Sequence, residues 1–162
     1  MIKIVVIPEE RKAILIGIKG SVKKKLEKKT NTKIKIGLDV EIEGESLDAL
    51  KAAEIVKAIG NGFSPENAFL LLKEEYMFEV IPFRAETPES RKRLFARVIG
   101  RDGLVKKNLE EKTNSLISIY GKNVSIIAEE NHMLDAERAV KNLLSGKSHG
   151  HVYKLAERKK TS

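Results

Sequence analysis

The sequence predicts an α+β protein made of two tandem copies of one unit, each a three-stranded sheet covered by helices, packed through a short linker helix. Three observations carry that expectation. Residues 17–36 align without gaps on residues 100–119, a shift of 83, with 12 of 20 positions identical. Chance does not produce such a match, and a repeat of this kind means that one structural unit occurs twice. Apolar residues alternate with polar ones after each aligned helix (Ile34, Ile36, then Val40, Ile42), which is the period of a half-buried strand. Helical spacing flanks a Gly-x-x-Gly break in both copies. Each copy therefore reads strand, helix, Gly-x-x-Gly, helix, strand, strand, helix.

In the first copy, residues 2–7 form a short apolar strand, and Pro8 suits the first turn of a helix running to Ile16. Gly17 to Gly20 break that helix. Val22 and Leu26 restart a helix at i, i+4 spacing, ending at Thr30-Asn31, where Asn tolerates the left-handed C-cap conformation. Two strands follow around Gly37-Leu38-Asp39. Ser46 is expected to cap a last helix whose apolar face carries Leu47, Leu50, Ile55 and Ile59. The linker has its own signals: Gly60-Asn61-Gly62 ends the helix, Ser64-Pro65-Glu66 caps a short one through Leu72, and Phe63, Phe69 and Leu70 to Leu72 need burial.

The second copy repeats the order. Residues 76–81 read as the strand, Thr87-Pro88-Glu89 as a capped helix start, and residues 104–113 as the helix after the break. Residues 116–120 and 124–128 form the hairpin around Gly121-Lys122-Asn123. Residues 132–144 are the last helix, stopped at Ser145-Gly146. The expected domains are 1–74, with the linker helix, and 75–162, with a basic tail.

Composition narrows the function. A chain of 162 residues has no room for a large catalytic barrel, and its longest apolar runs fall far short of the roughly 20 residues that cross a bilayer. No leader pattern opens the chain, so a soluble cytoplasmic protein without membrane contact is expected. Thirty-one Lys and Arg against 23 Asp and Glu leave a net charge of +8, which favours a polyanionic partner, nucleic acid first. Zero cysteines exclude disulfides, zinc fingers and thiol catalysis.

A helix–Gly-x-x-Gly–helix corner suits a sugar–phosphate chain. Glycines let the backbone turn tightly and leave no Cβ in the way of an approaching chain. The next helix offers unpaired N–H groups and the positive end of its dipole to an anion. Lys19 and Arg101 add positive charge at the tips. Asp102 is expected to cap the helix that follows it. A single Gly-x-x-Gly means little. Two of them, each followed by the same helix and hairpin, are a strong signal.

These residues resemble K-homology (KH) domains, whose pattern runs Ile-Gly-x-x-Gly, an apolar helix, Thr/Ser-Gly, then Ile-x-Ile. Here it reads Ile16-Gly17 to Gly20, Leu26, Thr30-Asn31, Ile34 and Ile36, then Ile99-Gly100 to Gly103, Leu109, Thr113-Asn114, Ile117 and Ile119. Asn stands where the family has Gly after Thr. The apolar residue usually third after the loop is here second, Val22 and Val105, with Lys23 and Lys106 in third place. Only 16 residues precede the first loop, room for one strand and one helix, which selects the eukaryotic-type (type I) order β-α-α-β-β-α.

The resemblance implies that each loop clamps the backbone of about four nucleotides of single strand while the bases lie in an adjoining groove. It assigns RNA contact to Gly17, Ile18, Lys19, Gly20, Val22, Lys23, Lys24, Ile34 and Ile36. In the second copy it assigns Gly100, Arg101, Asp102, Gly103, Val105, Lys106, Lys107, Ile117 and Ile119. As a whole the chain is similar to archaeal two-KH ribosome-assembly proteins related to the eukaryotic partner-of-Nob pre-rRNA processing factor and the Krr proteins. That similarity implies binding near the 3′ end of small-subunit rRNA, beside a separate pre-rRNA endonuclease. It also implies association with the alpha subunit of translation initiation factor two.

Two other classes are weaker. A general KH regulator of mRNA shares the motifs, and a protein-interaction scaffold is disfavoured because both loops are intact. Catalysis has no residues to stand on: there is no His–carboxylate–nucleophile set, and all three histidines follow residue 131. His149 and His151 have a spacing compatible with metal but no third ligand nearby, so neither a metal nor another cofactor is expected. Glu41, Glu43 and Glu45 read as the outer face of a strand that keeps RNA away.

Overall fold

The computed structural model describes residues 1–146 and divides into two units, Met1–Tyr76 and Met77–Ser162. The basic tail with His149 and His151 lies outside the described residues. In the first unit, β1 (Ile2–Val5) leads to α1 (Glu9–Ile16), and a 3-10 turn at Ile18–Gly20 carries the Gly-x-x-Gly loop into α2 (Ser21–Thr30). Then come β2 (Lys33–Ile36), β3 (Val40–Glu43) and α3 (Ser46–Gly60), followed by α4 (Pro65–Ala68) and a 3-10 turn at Phe69–Leu72. The second unit repeats the series as β4 (Tyr76–Val80), α5 (Pro88–Ile99), a 3-10 turn at Arg101–Gly103, α6 (Leu104–Thr113), β5 (Ser115–Tyr120), β6 (Asn123–Glu129) and α7 (Glu130–Leu144).

Both sheets have the last strand in the middle, in the orders β1-β3-β2 and β4-β6-β5. The register sets Ile34 opposite Ile42 and Ile36 opposite Val40, so the apolar alternation of both strands falls on one face. In the second unit Ile117 faces Ile126 and Ile119 faces Val124 in the same way. The helices cover that face. Leu26 and Leu109, at equivalent places, are fully buried, and cutting such a side chain to Ala costs about 2–5 kcal/mol.

Several local expectations are corrected. The first strand stops at Val5, and Pro8 is the N-cap of α1 with extended backbone instead of its first helical residue. Pro88, by contrast, does take the first turn, with the Thr87 hydroxyl accepting from Ser90 N–H at 3.0 Å. Ser46 is not a cap: Glu45 holds that position and Ser46 is already helical. The buried face of α3 runs through Ala49, Ala52, Ala53, Ile55, Val56 and Ile59, while Leu47 is 81% exposed and Leu50 45%. Small alanines allow the helix to lie close on the sheet, and a helix turning 100° per residue then carries the leucines outward.

The linker is ordered by burial on its own unit. Phe63, Ala68 and Leu71 are buried, and α4 and the following turn pack on α3. The Arg11 guanidinium ties this region down by donating to the carbonyls of Ile59 and Phe63, both at 2.8 Å. The short helix splits into α4 and a 3-10 turn, with the Ser64 hydroxyl accepting from Asn67 N–H.

Candidate nucleic-acid interface

The two loops are built alike, angle for angle. Gly17 (φ 75°, ψ 177°) and Gly100 (φ 72°, ψ 178°) sit in a backbone region open essentially to glycine alone. A Cβ on Gly17 would lie 2.5 Å from Cγ2 of Val22 and 2.8 Å from its backbone N; on Gly100 it would meet Val105 at 2.2 and 2.8 Å. This explains why the valine stands second after each loop: it packs directly on the first glycine.

Lys19 (φ 54°) and Asp102 (φ 54°) occupy the left-handed conformation at equivalent positions, and Gly20 and Gly103 are the N-caps of α2 and α6. Asp102 is therefore not the cap that its type suggested; the turn places it one residue too early, with an exposed side chain. Ile18, 84% exposed, and the exposed Arg101 form the tips.

Behind the loops a second pattern repeats. Lys23 pairs with Glu27 at 3.4 Å, and the other Glu27 oxygen accepts from Ile34 N–H at 2.8 Å. Lys106, Glu110 and Ile117 N–H repeat this at 3.5 and 2.8 Å. The glutamate thus satisfies a donor on an edge strand and holds the lysine beside it, so Lys23 and Lys106 are engaged within the protein. Thr30 and Thr113 close the turn, each donating its hydroxyl to a carbonyl one helical turn back at 2.6 Å. Asn31 and Asn114, both left-handed, end the helices where the family pattern has glycine.

Ile34 and Ile117 are core residues, 4% and 3% exposed, so they carry the strand and present no side chain to a ligand. Ile36 and Ile119, two residues on, are half-buried at the open end of the same face, as are Val22 and Val105 near the loops. Lys24 and Lys107 are exposed. Lys33 and Lys35 stand opposite Glu43 and Glu41 on the outer side of the first sheet, away from that face.

The second unit has an open groove of about 440 Å³ beside its loop, lined by Pro88, Arg91, Lys92, Phe95, Ala96, Ile99, Ile119 and Gly121. Its floor is apolar and its rim cationic. The Phe95 ring is held against Phe83 with centroids 5.3 Å apart, which fixes its orientation in the wall. Of these residues only Ile119 was expected from the sequence. The α5 residues before Ile99 escape the family pattern because it begins at the isoleucine before the loop and runs on from there. The basic run Arg91-Lys92-Arg93, with Phe95 following it on the same helix, is the signal in the chain that points to them.

Family models agree with this architecture. Residues 2–58 match the KH domain, and residues 77–161 match the eukaryotic-type KH domain, type I. The chain belongs to the KH-domain family. It is similar to the KH domain-containing protein MJ0443 of Methanocaldococcus jannaschii, 41% identical over 98% of this chain and 74% of that protein. It is also 30% identical to the pre-rRNA-processing protein PNO1 of Candida albicans, over 64% of this chain but only 39% of PNO1. Among solved structures, a crystal structure of an a/eIF2alpha-aDim2p-rRNA complex from Pyrococcus horikoshii superposes with a TM-score of 0.89 at 38% identity, covering 99% of this chain and 94% of that one. The two-KH assembly-factor resemblance, PNO1- and Dim2p-like, thus rests on both sequence and fold.

Proposed function

We propose that this KH protein binds single-stranded RNA of the small ribosomal subunit, near the 3′ end of the rRNA or its precursor, and acts in ribosome biogenesis by binding instead of by catalysis. The observation that carries this reading is the open apolar groove of the second unit, flanked by Arg91 and Lys92 and adjoining the Gly100–Gly103 loop. Phosphates would lie over the loop and the positive N-terminal end of α6, while bases enter the groove against Phe95, Ile99 and Ile119. The likeness to PNO1, a pre-rRNA-processing protein, and to the rRNA-bound Pyrococcus complex supports the rRNA target. The same complex supports the alpha subunit of translation initiation factor two as a partner; a separate pre-rRNA endonuclease acting on the bound RNA is the second partner of this proposal. A cytoplasmic site of action goes with both. Among the described residues no helix is long and apolar enough to cross a membrane, and no group of three metal-ligating side chains comes together.

Cross-linking the protein to total cellular RNA tests the reading. Enrichment at the 3′ end of small-subunit rRNA is expected. Enrichment spread over mRNA would replace it with a general KH regulator.

A further inference from the structure

The outer face of the first sheet ends in an apolar column at its edge. The register aligns Lys33, Glu43 and Ile2 in one row and Lys35, Glu41 and Ile4 in the next, so positive, negative and apolar columns run side by side across β2, β3 and β1. Val6 extends the last column. Ile2, Ile4 and Val6 are 64%, 61% and 77% exposed, whereas the outer face of the second sheet is closed, with Ser118, Ser125 and Ile127 buried. β1 is also an edge, with no strand beyond it among the described residues. The Met1 carbonyl accepts from Gly44 N–H at 3.1 Å, so Met1, Lys3 and Val5 turn their backbone groups toward β3, and Ile2 and Ile4 turn theirs to the outer edge. An apolar edge of this kind is a template for another strand.

The edge fits itself. A two-fold axis makes two copies of β1 antiparallel, and the alternation of backbone groups allows the axis to pass at Lys3, Ile4 or Val5. At Lys3 it would set lysine opposite lysine. At Val5 it would set Ile2 against Pro8, which has no N–H to donate. At Ile4 it sets Ile4 opposite Ile4, Ile2 opposite Val6 and Lys3 opposite Val5, so every outer-face pair is apolar and no like charges meet. The two Glu41 residues then lie in one row with the Ile4 pair, three strand spacings or about 14 Å apart, beyond the screening length of about 8 Å at physiological salt. We propose that β1 pairs with β1 of a second copy of this chain, centred on Ile4, joining the two first sheets edge to edge. The pairing holds whether or not RNA is bound.

Sedimentation equilibrium of the full chain without RNA tests this. The mass should rise with concentration from that of one chain toward that of two. Salt at about 1 M should leave the association unweakened, since it rests on apolar pairs and backbone hydrogen bonds. Ile4→Lys sets two ammonium groups on the axis at an already exposed position, and should weaken association about tenfold or more while circular dichroism stays native. Leu47→Lys, at an exposed place on α3, should leave it unchanged. A chain that stays single up to about 1 mM overturns the proposal and leaves the edge to a strand of another protein. Association that salt abolishes, or that Ile4→Lys leaves intact, overturns it as well. A second measurement reads the register directly. The chain has no cysteine, so a nitroxide on Glu41→Cys is the one label in each copy. In the associated protein its dipolar broadening should report the short separation of the row through Ile4. A dimer without that broadening overturns the β1 pairing even if Ile4→Lys does not fold.

Discussion

The first and second KH units share a backbone and differ in where their charge and their open space lie. Over the aligned blocks the first carries eight lysines against one glutamate, and the second four basic against three acidic residues. Yet residues 1–76 hold 14 basic and 12 acidic residues and residues 77–146 hold 12 and 10, so both reach +2. The lysine-rich unit places its charge elsewhere: Lys23 is paired, Lys33 and Lys35 face the outer sheet surface, and Lys12 is buried against the Leu38 carbonyl. The poorer block belongs to the unit whose groove is open and rimmed by Arg91 and Lys92. A count of charge therefore says how strongly a surface draws polyanions, and geometry says where a base can go.

The largest effect should come from the first glycine of each loop. Gly100→Ala and Gly17→Ala each force a Cβ into valine and into a glycine-only conformation, at a cost of about 1–3 kcal/mol or more in stability. Urea unfolding should show similar losses, while RNA affinity measured under native conditions should fall further for Gly100→Ala, whose loop adjoins the open groove. An equal loss of affinity from Gly17→Ala would break the contrast between the units.

Next is the wall of the second groove. Phe95→Lys should lower affinity for single-stranded RNA about tenfold despite the added positive charge, because a ring is removed and the groove is filled. Calorimetric titration with a short RNA checks this, and a gain in affinity would mean that charge outweighs the groove.

A smaller effect probes what the units have in common. Glu27→Ala and Glu110→Ala each leave an edge-strand N–H without its acceptor and a lysine without its pair, at about 1 kcal/mol apiece. The two shifts in urea midpoint should agree. A clear difference would show that the shared frame is not energetically shared.

The smallest concerns salt. Lys24, Lys28 and Lys29 are exposed on α2, whereas the matching positions of α6 are Lys107, Glu111 and Lys112. Replacing the first three by Gln should reduce the slope of log affinity against log salt by about 0.7 for each phosphate no longer neutralised, and replacing Lys107 and Lys112 should reduce it less. An equal or larger reduction from the second pair would show that the extra exposed lysines of α2 do not add to the attraction for RNA.

The repeat, the element order, both loops and the left-handed asparagines were all legible in the chain. Each depends on neighbours a few residues apart: a period of two or of 3.6, a glycine where no Cβ fits, an Asn after the last helical turn. The misread details were those decided from outside the segment. Leu47 and Leu50 face solvent because the alanines of α3 fit the sheet more closely, and Asp102 is left out of the cap by the turn around it. The placement of Lys12 and Phe95 was beyond any local pattern, since it needs Lys12 brought to Leu38 and Phe95 brought near Ile119. A lysine on an amphipathic helix reads as a solvated charge until folding supplies a carbonyl within 2.9 Å and closes the space around its stem.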